Sequence, residues 1–190
     1  KFLHNIVSQA ERLQDLSERL LGLAIIEQQQ APAALEATSL DAMVAELVAA
    51  AQPRFTAGGI AVSVVATTPA IVRAERFMLR QALENLLDNA IRWTPRDGRI
   101  DIEITRRDRA HCLSLTNSGP HIPDFALPRL TERFYALPDP VSGRKGTGLG
   151  LNFVKEVAVL HGGRFAIDNI EGGVRARLWL PADSHTIPTQ

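Results

Sequence analysis

Gln81-Ala82-Leu83-Glu84-Asn85-Leu86-Leu87-Asp88-Asn89-Ala90 lies inside a helical pattern that runs from Glu75 to Trp93. Phe77, Leu79, Ala82, Leu83, Leu86, Leu87, Ala90 and Ile91 recur at helical spacing and make a broad apolar face. Pro95 and Gly98 stop it. Asn85 and Asn89 stand one turn apart on a flank of that face. Asn is a poor residue for a helix interior, because its amide competes for backbone hydrogen bonds. Two of them beside core leucines read either as a solvated edge or as amide oxygens facing a ligand or a hard cation such as Mg²⁺. Arg92 adds a positive charge near the same flank.

Strands surround this helix. Arg99 to Arg106 alternates Ile100, Ile102 and Ile104 against charged residues. His111 to Asn117 repeats the pattern with Cys112 or Leu113 and Leu115 inward, and Asp108 to Ala110 joins the two as a hairpin. Residues 118–147 hold five of the eleven prolines and no long period, as a functional or mobile loop does. Leu149 to Leu160 reads as a helix closed by His161-Gly162-Gly163. Strands at Arg164 to Asn169 and Val174 to Leu180 follow, joined through Glu171-Gly172-Gly173. Upstream, Ser39 is a helix N-cap with Leu40, Val44, Leu47 and Val48 on the buried side, and Pro53 is expected to end that helix. Ile60 to Val65 and Ile71 to Arg73 are extended, and Gln28 to Ala37 reads as a linker. Residues 1–29 form one long amphipathic helix with Phe2, Ile6, Leu13, Leu16, Leu20, Leu23 and Ile26 near a heptad seam. That stripe packs either on its own domain or in a helical-bundle dimer. Helices thus segregate from a largely antiparallel sheet, and the fold class is α+β, a two-layer α/β sandwich preceded by one long helix.

The chain has 190 residues, with 21 Lys+Arg against 21 Asp+Glu. Zero net charge gives no electrostatic reason to expect a nucleic-acid partner. No apolar run approaches the ~18 residues of a membrane helix, so no membrane contact is expected of this chain. The single cysteine, Cys112, excludes an intramolecular disulfide and a cysteine-rich zinc site. The chain opens on Lys1 without Met or signal peptide, and is expected to be a piece of something longer.

Two further segments carry chemistry. Gly146-Thr147-Gly148-Leu149-Gly150-Leu151 runs from the long loop into a helix, where backbone N–H groups and the helix dipole make an anion site. It is not a P-loop, because Lys145 precedes the glycines instead of following them. Nor is it a dinucleotide fingerprint, because the third glycine position holds Leu151 and no strand precedes. Asn117-Ser118-Gly119-Pro120-His121-Ile122-Pro123 leaves a strand end, where a polar side chain and a glycine can meet a base edge.

Together, in this order, the three segments resemble the N, G1 and G2 boxes of the ATP-binding domain of sensor histidine kinases, in the wider family shared with gyrase, Hsp90 and MutL (the Bergerat or GHKL fold). Arg92-Trp93-Thr94-Pro95 stands where these kinases usually have Lys-Tyr-Thr-Pro, and Glu132-Arg133-Phe134-Tyr135 is similar to their F box. Leu160-His161-Gly162-Gly163 resembles the usual ending of the following helix, and residues 133–163 are similar to CreC-type kinases. The resemblance implies a mixed, mostly antiparallel sheet with helices on one face. It implies ATP and Mg²⁺ as ligands, with Asn89 on the metal and Asn85 and Arg92 on phosphates or the metal shell. Asn117 and Gly119 would hold the adenine, with Ile122 and Leu151 lining its pocket. Phe134 would anchor the lid, Arg133, Arg144 and Lys145 would meet the polyphosphate, and Gly146, Gly148 and Gly150 would let lid and helix wrap it. Residues 38–181 would be the catalytic domain, 182–190 a frayed tail, and 1–30 the second helix of a dimerisation hairpin.

Two departures from the family pattern stand out. Asn117 replaces the usual adenine-binding Asp, so the hydrogen bond to the amino group lacks charge assistance. His121 replaces a glycine and reads as a lid-edge surface residue. In ATP-hydrolysing relatives a Glu at the position of Asn85 activates water. Asn has no basic group, whereas a histidine acceptor needs no base. The resemblance therefore implies phosphoryl transfer to histidine, then to a response-regulator receiver domain. It also implies a homodimeric parent anchored in the bacterial inner membrane, with this domain in the cytoplasm. Among the five histidines, none stands in a phosphoacceptor context, and autophosphorylation of this chain alone is not expected. A degenerate nucleotide-binding or interaction module with weak ATP affinity is the alternative, and a hydrolysing ATPase is disfavoured by Asn85.

Overall fold

The computed structural model describes residues 34–139, 143 and 145–183. The helix expected over residues 1–30, Arg144, and residues 184–190 of the expected tail lie outside them. Ala182 and Asp183, read as tail, are tied down: their N–H groups donate to the carbonyls of Arg109 (2.8 Å) and Ile71 (3.0 Å).

The order is β1 (Glu36–Ser39), α1 (Leu40–Gly58), β2 (Ala61–Ala66), β3 (Ile71–Ala74), α2 (Arg76–Trp93), β4 (Arg99–Arg107), β5 (Ala110–Asn117), a short 3₁₀ turn, α3 (Gly150–Leu160), β6 (Arg164–Ile170) and β7 (Gly173–Pro181). The main sheet has the strand order β2-β4-β5-β7-β6, with β2 parallel to β4 and every other pair antiparallel. Period-two alternation sends Ile100, Ile102 and Ile104, Leu113 and Leu115, and Ala176, Leu178 and Leu180 into one core with all three helices. The opposite face carries Asp101, Glu103, Ser114, Thr116, Arg175 and Arg177 at the alternate positions. The expected two-layer α+β sandwich is therefore the observed one.

Two local expectations fail. Helix α1 runs through Pro53 to Gly58. An interior proline costs about 3 kcal/mol. Beyond it, however, Phe55 is buried in the core at 1% exposure, and burying such a side chain recovers about 1.5–3 kcal/mol. Gly59, left-handed at φ 66°, then donates its N–H to the carbonyls of Phe55 and Thr56 and closes the helix. The second failure is β1, whose first residues read as linker. It pairs with β3 from Glu36↔Ala74 to Ser39↔Ile71 and buries Thr38. Four residues with one buried side chain leave no periodicity to detect.

His111 occupies a core-facing position in line with Leu113 and Leu115 and is 2% exposed. Its Nδ1 has no hydrogen-bond partner among the described residues. Burial holds its pKa below the ordinary histidine value, helped by the Arg106 charge and opposed by Asp41. The folded state therefore favours neutral imidazole, and the unfolded chain takes up more protons as the pH falls. That stability is fully present above about pH 6.5, the unfolded value, and is lost as the pH falls through the lowered folded value. Thermal melts between pH 7.5 and 5 should show a falling midpoint, and His111→Gln should flatten that slope.

Candidate functional site

Three chain segments converge on a cleft of about 960 Å³ at one end of the helical layer. That volume is in the range that encloses a small organic ligand. Its first wall is the flank of α2. Glu75 caps this helix, its carboxylate accepting from the N–H groups of Phe77 (3.2 Å) and Met78 (2.8 Å). The apolar face of α2 is buried, and the flank beside it brings Asn85, Asn89, Arg92 and Trp93 to the cleft. Asn85 Nδ2 donates to the Gln81 carbonyl (2.9 Å), which fixes the orientation of its amide. Arg92 Nε lies 3.3 Å from Asp139 Oδ2, and Asp139 lines the cleft as well.

The second wall is the entry to α3. Lys145, Gly146, Thr147, Gly148, Gly150 and Leu151 line it, while Leu149 is fully buried beneath and anchors the turn. Gly148 has φ 70°, and a Cβ there would stand 2.5 Å from the Phe134 carbonyl carbon. The Phe134 N–H donates to the Gly148 carbonyl (3.0 Å), so residues 134 and 135 lie directly against this turn. Open backbone N–H groups at a helix N-terminus, with Lys145 and Arg92 beside them, make an anion site.

The third wall is the end of β5. Asn117 lines the cleft and is 6% exposed. The segment after it is folded back by Asn169 of β6, whose Oδ1 accepts from the Ile122 N–H (2.8 Å) and whose Nδ2 donates to the Ile122 carbonyl (2.8 Å). His121, at the surface as expected, bonds the Ile170 carbonyl through Nε2 (2.7 Å). Gly119 does not line the cleft. It backs onto Trp93, whose carbonyl oxygen would lie 2.3 Å from a Cβ at that position.

The structure thus gathers Asn85, Asn89, Arg92, Trp93, Asn117, Ile122, Lys145, Gly146, Thr147, Gly148, Gly150 and Leu151 in one place. Gly119 and Leu149 support it from behind. Arg133 and Phe134 do not line it, and Arg144 is outside the described residues. Phe134 is 67% exposed with φ 62°, so the chain is fastened to the Gly148 turn at this point by its backbone and not by its ring. Asp139 and Asn169 escaped the sequence reading. Neither lies in a recognisable pattern, and their partners are 47 residues away. Among the described residues no group of three His, Cys, Asp or Glu side chains is placed to cage a metal.

A family model described as histidine kinase-, DNA gyrase B- and HSP90-like ATPase matches residues 74–184, more than half of the chain. The chain belongs to this family. Within it, the chain carries the ATPase-family domain of a sensor histidine kinase. Sensor protein CreC of Escherichia coli (strain K12) is 40% identical over 181 residues, covering 95% of this chain and 38% of CreC. This chain therefore spans well under half of that relative. The nucleotide-free catalytic domain of histidine kinase ThkA superposes with a TM-score of 0.71 at 26% identity, over 78% of this chain and 95% of that one. ThkA solved in complex with the response regulator protein TrrA gives 0.76 at 23% identity over 98% of this chain and 52% of ThkA, a likeness of fold. The kinase-domain wall built by Asn169 is directly testable. Asn169→Ala removes two hydrogen bonds and should cost about 1–3 kcal/mol, read as lost hydrogen-exchange protection at the Ile122 amide while β4 stays protected.

Proposed function

We propose that the cleft binds ATP with Mg²⁺ and that this domain donates the γ-phosphoryl group to a histidine on a dimerisation helix, for relay to a response-regulator aspartate. The observation that carries the reading is the convergence of the Asn85–Asn89–Arg92 flank with the Gly146–Gly150 helix entry. One wall offers amide oxygens and a guanidinium, and the other offers backbone N–H groups. A polyphosphate needs both kinds of partner.

A lone amide oxygen is too few donors for a dedicated metal cage but suits a Mg²⁺ that arrives with phosphate oxygens. Asn89 would be the protein donor, and the bound ion would supply charge neutralisation on the polyphosphate. Arg92 and Lys145 would orient the phosphates, and Asn117 would meet the base. In the transfer, the imidazole nitrogen forms a bond to the γ-phosphorus as the bond to the β,γ-bridging oxygen breaks, leaving ADP. Asn85 has no basic group to activate water, which favours transfer over hydrolysis.

No histidine of this chain is read as the acceptor. His111 is core. His161 is buried with both ring nitrogens bonded, and His121 is engaged by the Ile170 carbonyl. Residues 1–30 are read as the second helix of the dimerisation hairpin, residues 38–181 as the catalytic domain and the parent as a homodimer. Among the described residues no helix is long and apolar enough to cross a membrane. A cytoplasmic place for this domain, below an inner-membrane anchor in the parent, belongs to the same reading. The second reading, a weak nucleotide binder acting through protein contacts, is favoured by Asn117 and by the Arg92–Asp139 pair that occupies the cleft.

Titration calorimetry distinguishes the two. The kinase reading expects ATP to bind with a strong Mg²⁺ dependence that Asn89→Ala removes. Incubation with γ-labelled ATP should leave this chain unlabelled and should label a separately supplied dimerisation hairpin. Stable label on His4 would contradict the assignment. Asp139→Asn releases Arg92 from a partner that phosphate must displace, and should tighten ATP by roughly two- to fivefold, the strength of a partly exposed ion pair.

A further inference from the structure

Besides Asn89, four asparagines stand in or around the cleft, and three of these four have their amides fixed by backbone carbonyls. Asn85 Nδ2 donates to Gln81 (2.9 Å), Asn152 Nδ2 to Thr131 (2.9 Å) and Asn169 Nδ2 to Ile122 (2.8 Å). Asn117 is different. Its side chain is buried at the cleft wall, with the residue only 6% exposed, and its Nδ2 has no hydrogen-bond partner among the described residues. No protein group therefore dictates which end of this carboxamide faces the cleft. Turning the amide over exchanges a donor for an acceptor without breaking a protein hydrogen bond.

That freedom has a chemical consequence. A carboxylate only accepts, so it pairs with a 6-amino purine and repels a 6-oxo group. A carboxamide carries one accepting and one donating edge. The inner position of the amide, now held by Nδ2, packs toward Gly119 and away from the cleft, so one edge alone meets the base. Turned one way, that edge is the oxygen, which accepts from the 6-amino group of adenine. Turned the other way, it is the NH₂, which donates to the 6-oxo group of hypoxanthine or guanine. Both pairings are single and neutral, so the discrimination that a fixed carboxylate imposes is absent.

We infer that this cleft takes 6-oxo purine triphosphates on nearly equal terms with ATP, and that Asn117 is the specificity-determining residue, reading the purine 6-position with a freely turning amide. The inference rests on the reading of the cleft as a purine triphosphate site with its base at Asn117. Lys145, Arg92 and the Gly146–Gly150 entry contact no part of the base in that reading, so they contribute equally to every purine.

The test compares ATP with ITP, which differs at the 6-position and N1 alone, by calorimetry in the presence of Mg²⁺. The wild-type chain should bind the two within about threefold of each other. Asn117→Asp restores a fixed acceptor and should tighten ATP while weakening ITP, widening the ratio by about tenfold or more. A wild-type preference for ATP above about tenfold, the value of one well-placed hydrogen bond, overturns this inference and leaves the proposed function standing. An unchanged ratio in Asn117→Asp overturns it as well. Failure of the wild type to bind either triphosphate overturns both. Should Asn117→Asp not fold, the wild-type ratio alone still decides.

Discussion

The imidazole of His161 joins the two helices that form the cleft. Its Nε2 accepts the Glu75 N–H at the start of α2 (2.9 Å), so its Nδ1 carries the proton and donates to the Val157 carbonyl near the end of α3 (2.7 Å). One buried side chain thus satisfies the N–H at the start of one helix and adds a second hydrogen bond to a carbonyl near the end of the other, which already accepts the His161 N–H. At the opposite end Arg92 reaches Gly146, where a Cβ would stand 2.8 Å from its Nη1. The start of α2 meets the end of α3, and the end of α2 meets the start of α3. The helices are antiparallel neighbours. That arrangement sets the Asn85–Asn89–Arg92 flank beside the N-terminus of α3, and the chemistry of the site depends on it.

The rest of the fold serves this pairing. The isoleucines of β4 and leucines of β5 and β7 give α2 a flat apolar bed, so its broad hydrophobic face is consumed and only the asparagine flank is left to the cleft. The end of β5 delivers Asn117, and Asn169 on β6 folds residues 120–123 back over it. This wall is hydrogen-bonded on both edges. The wall formed by residues 131–139 is held differently, through the Phe134–Gly148 backbone bond, the Asn152 bond to Thr131 and the Arg92–Asp139 ion pair. The last of these uses the cation that a polyphosphate would claim. On the proposed reading, ligand entry would be coupled to rearrangement of that wall through Arg92.

Sequence reading recovered what local physics encodes. Helix α2 was legible because its broad apolar stripe repeats at helical spacing and carries two asparagines one turn apart on its flank. Strands β4, β5 and β7 were legible because half-buried strands alternate. The glycine-rich entry to α3 was legible because glycine and a helix start coincide. What escaped depends on distant partners. Pro53 reads as a helix stop unless the burial of Phe55 is known. Strand β1 is too short to show a period. Asn169 and Asp139 act through partners 47 residues away, and no local signal marks them. His161 was readable as the end of a helix, but its bond to Glu75, 86 residues away, was not. Phe134 illustrates the reverse: its motif position was readable, but its outward ring and positive φ were not.

The central claim is that a single ligand spans the cleft from Asn117 to the α2–α3 helix pair. A two-dimensional ¹H–¹⁵N titration with Mg²⁺ and a non-hydrolysable ATP analogue addresses it most directly. The account predicts concerted shifts of the Asn89 and Asn117 side-chain amides and of the Gly146, Gly148 and Gly150 backbone amides. The Trp179 indole, on the opposite face of the sheet, should not move. Shifts centred on Trp179, or movement at Asn117 without movement at Asn89 and Gly146, would contradict it.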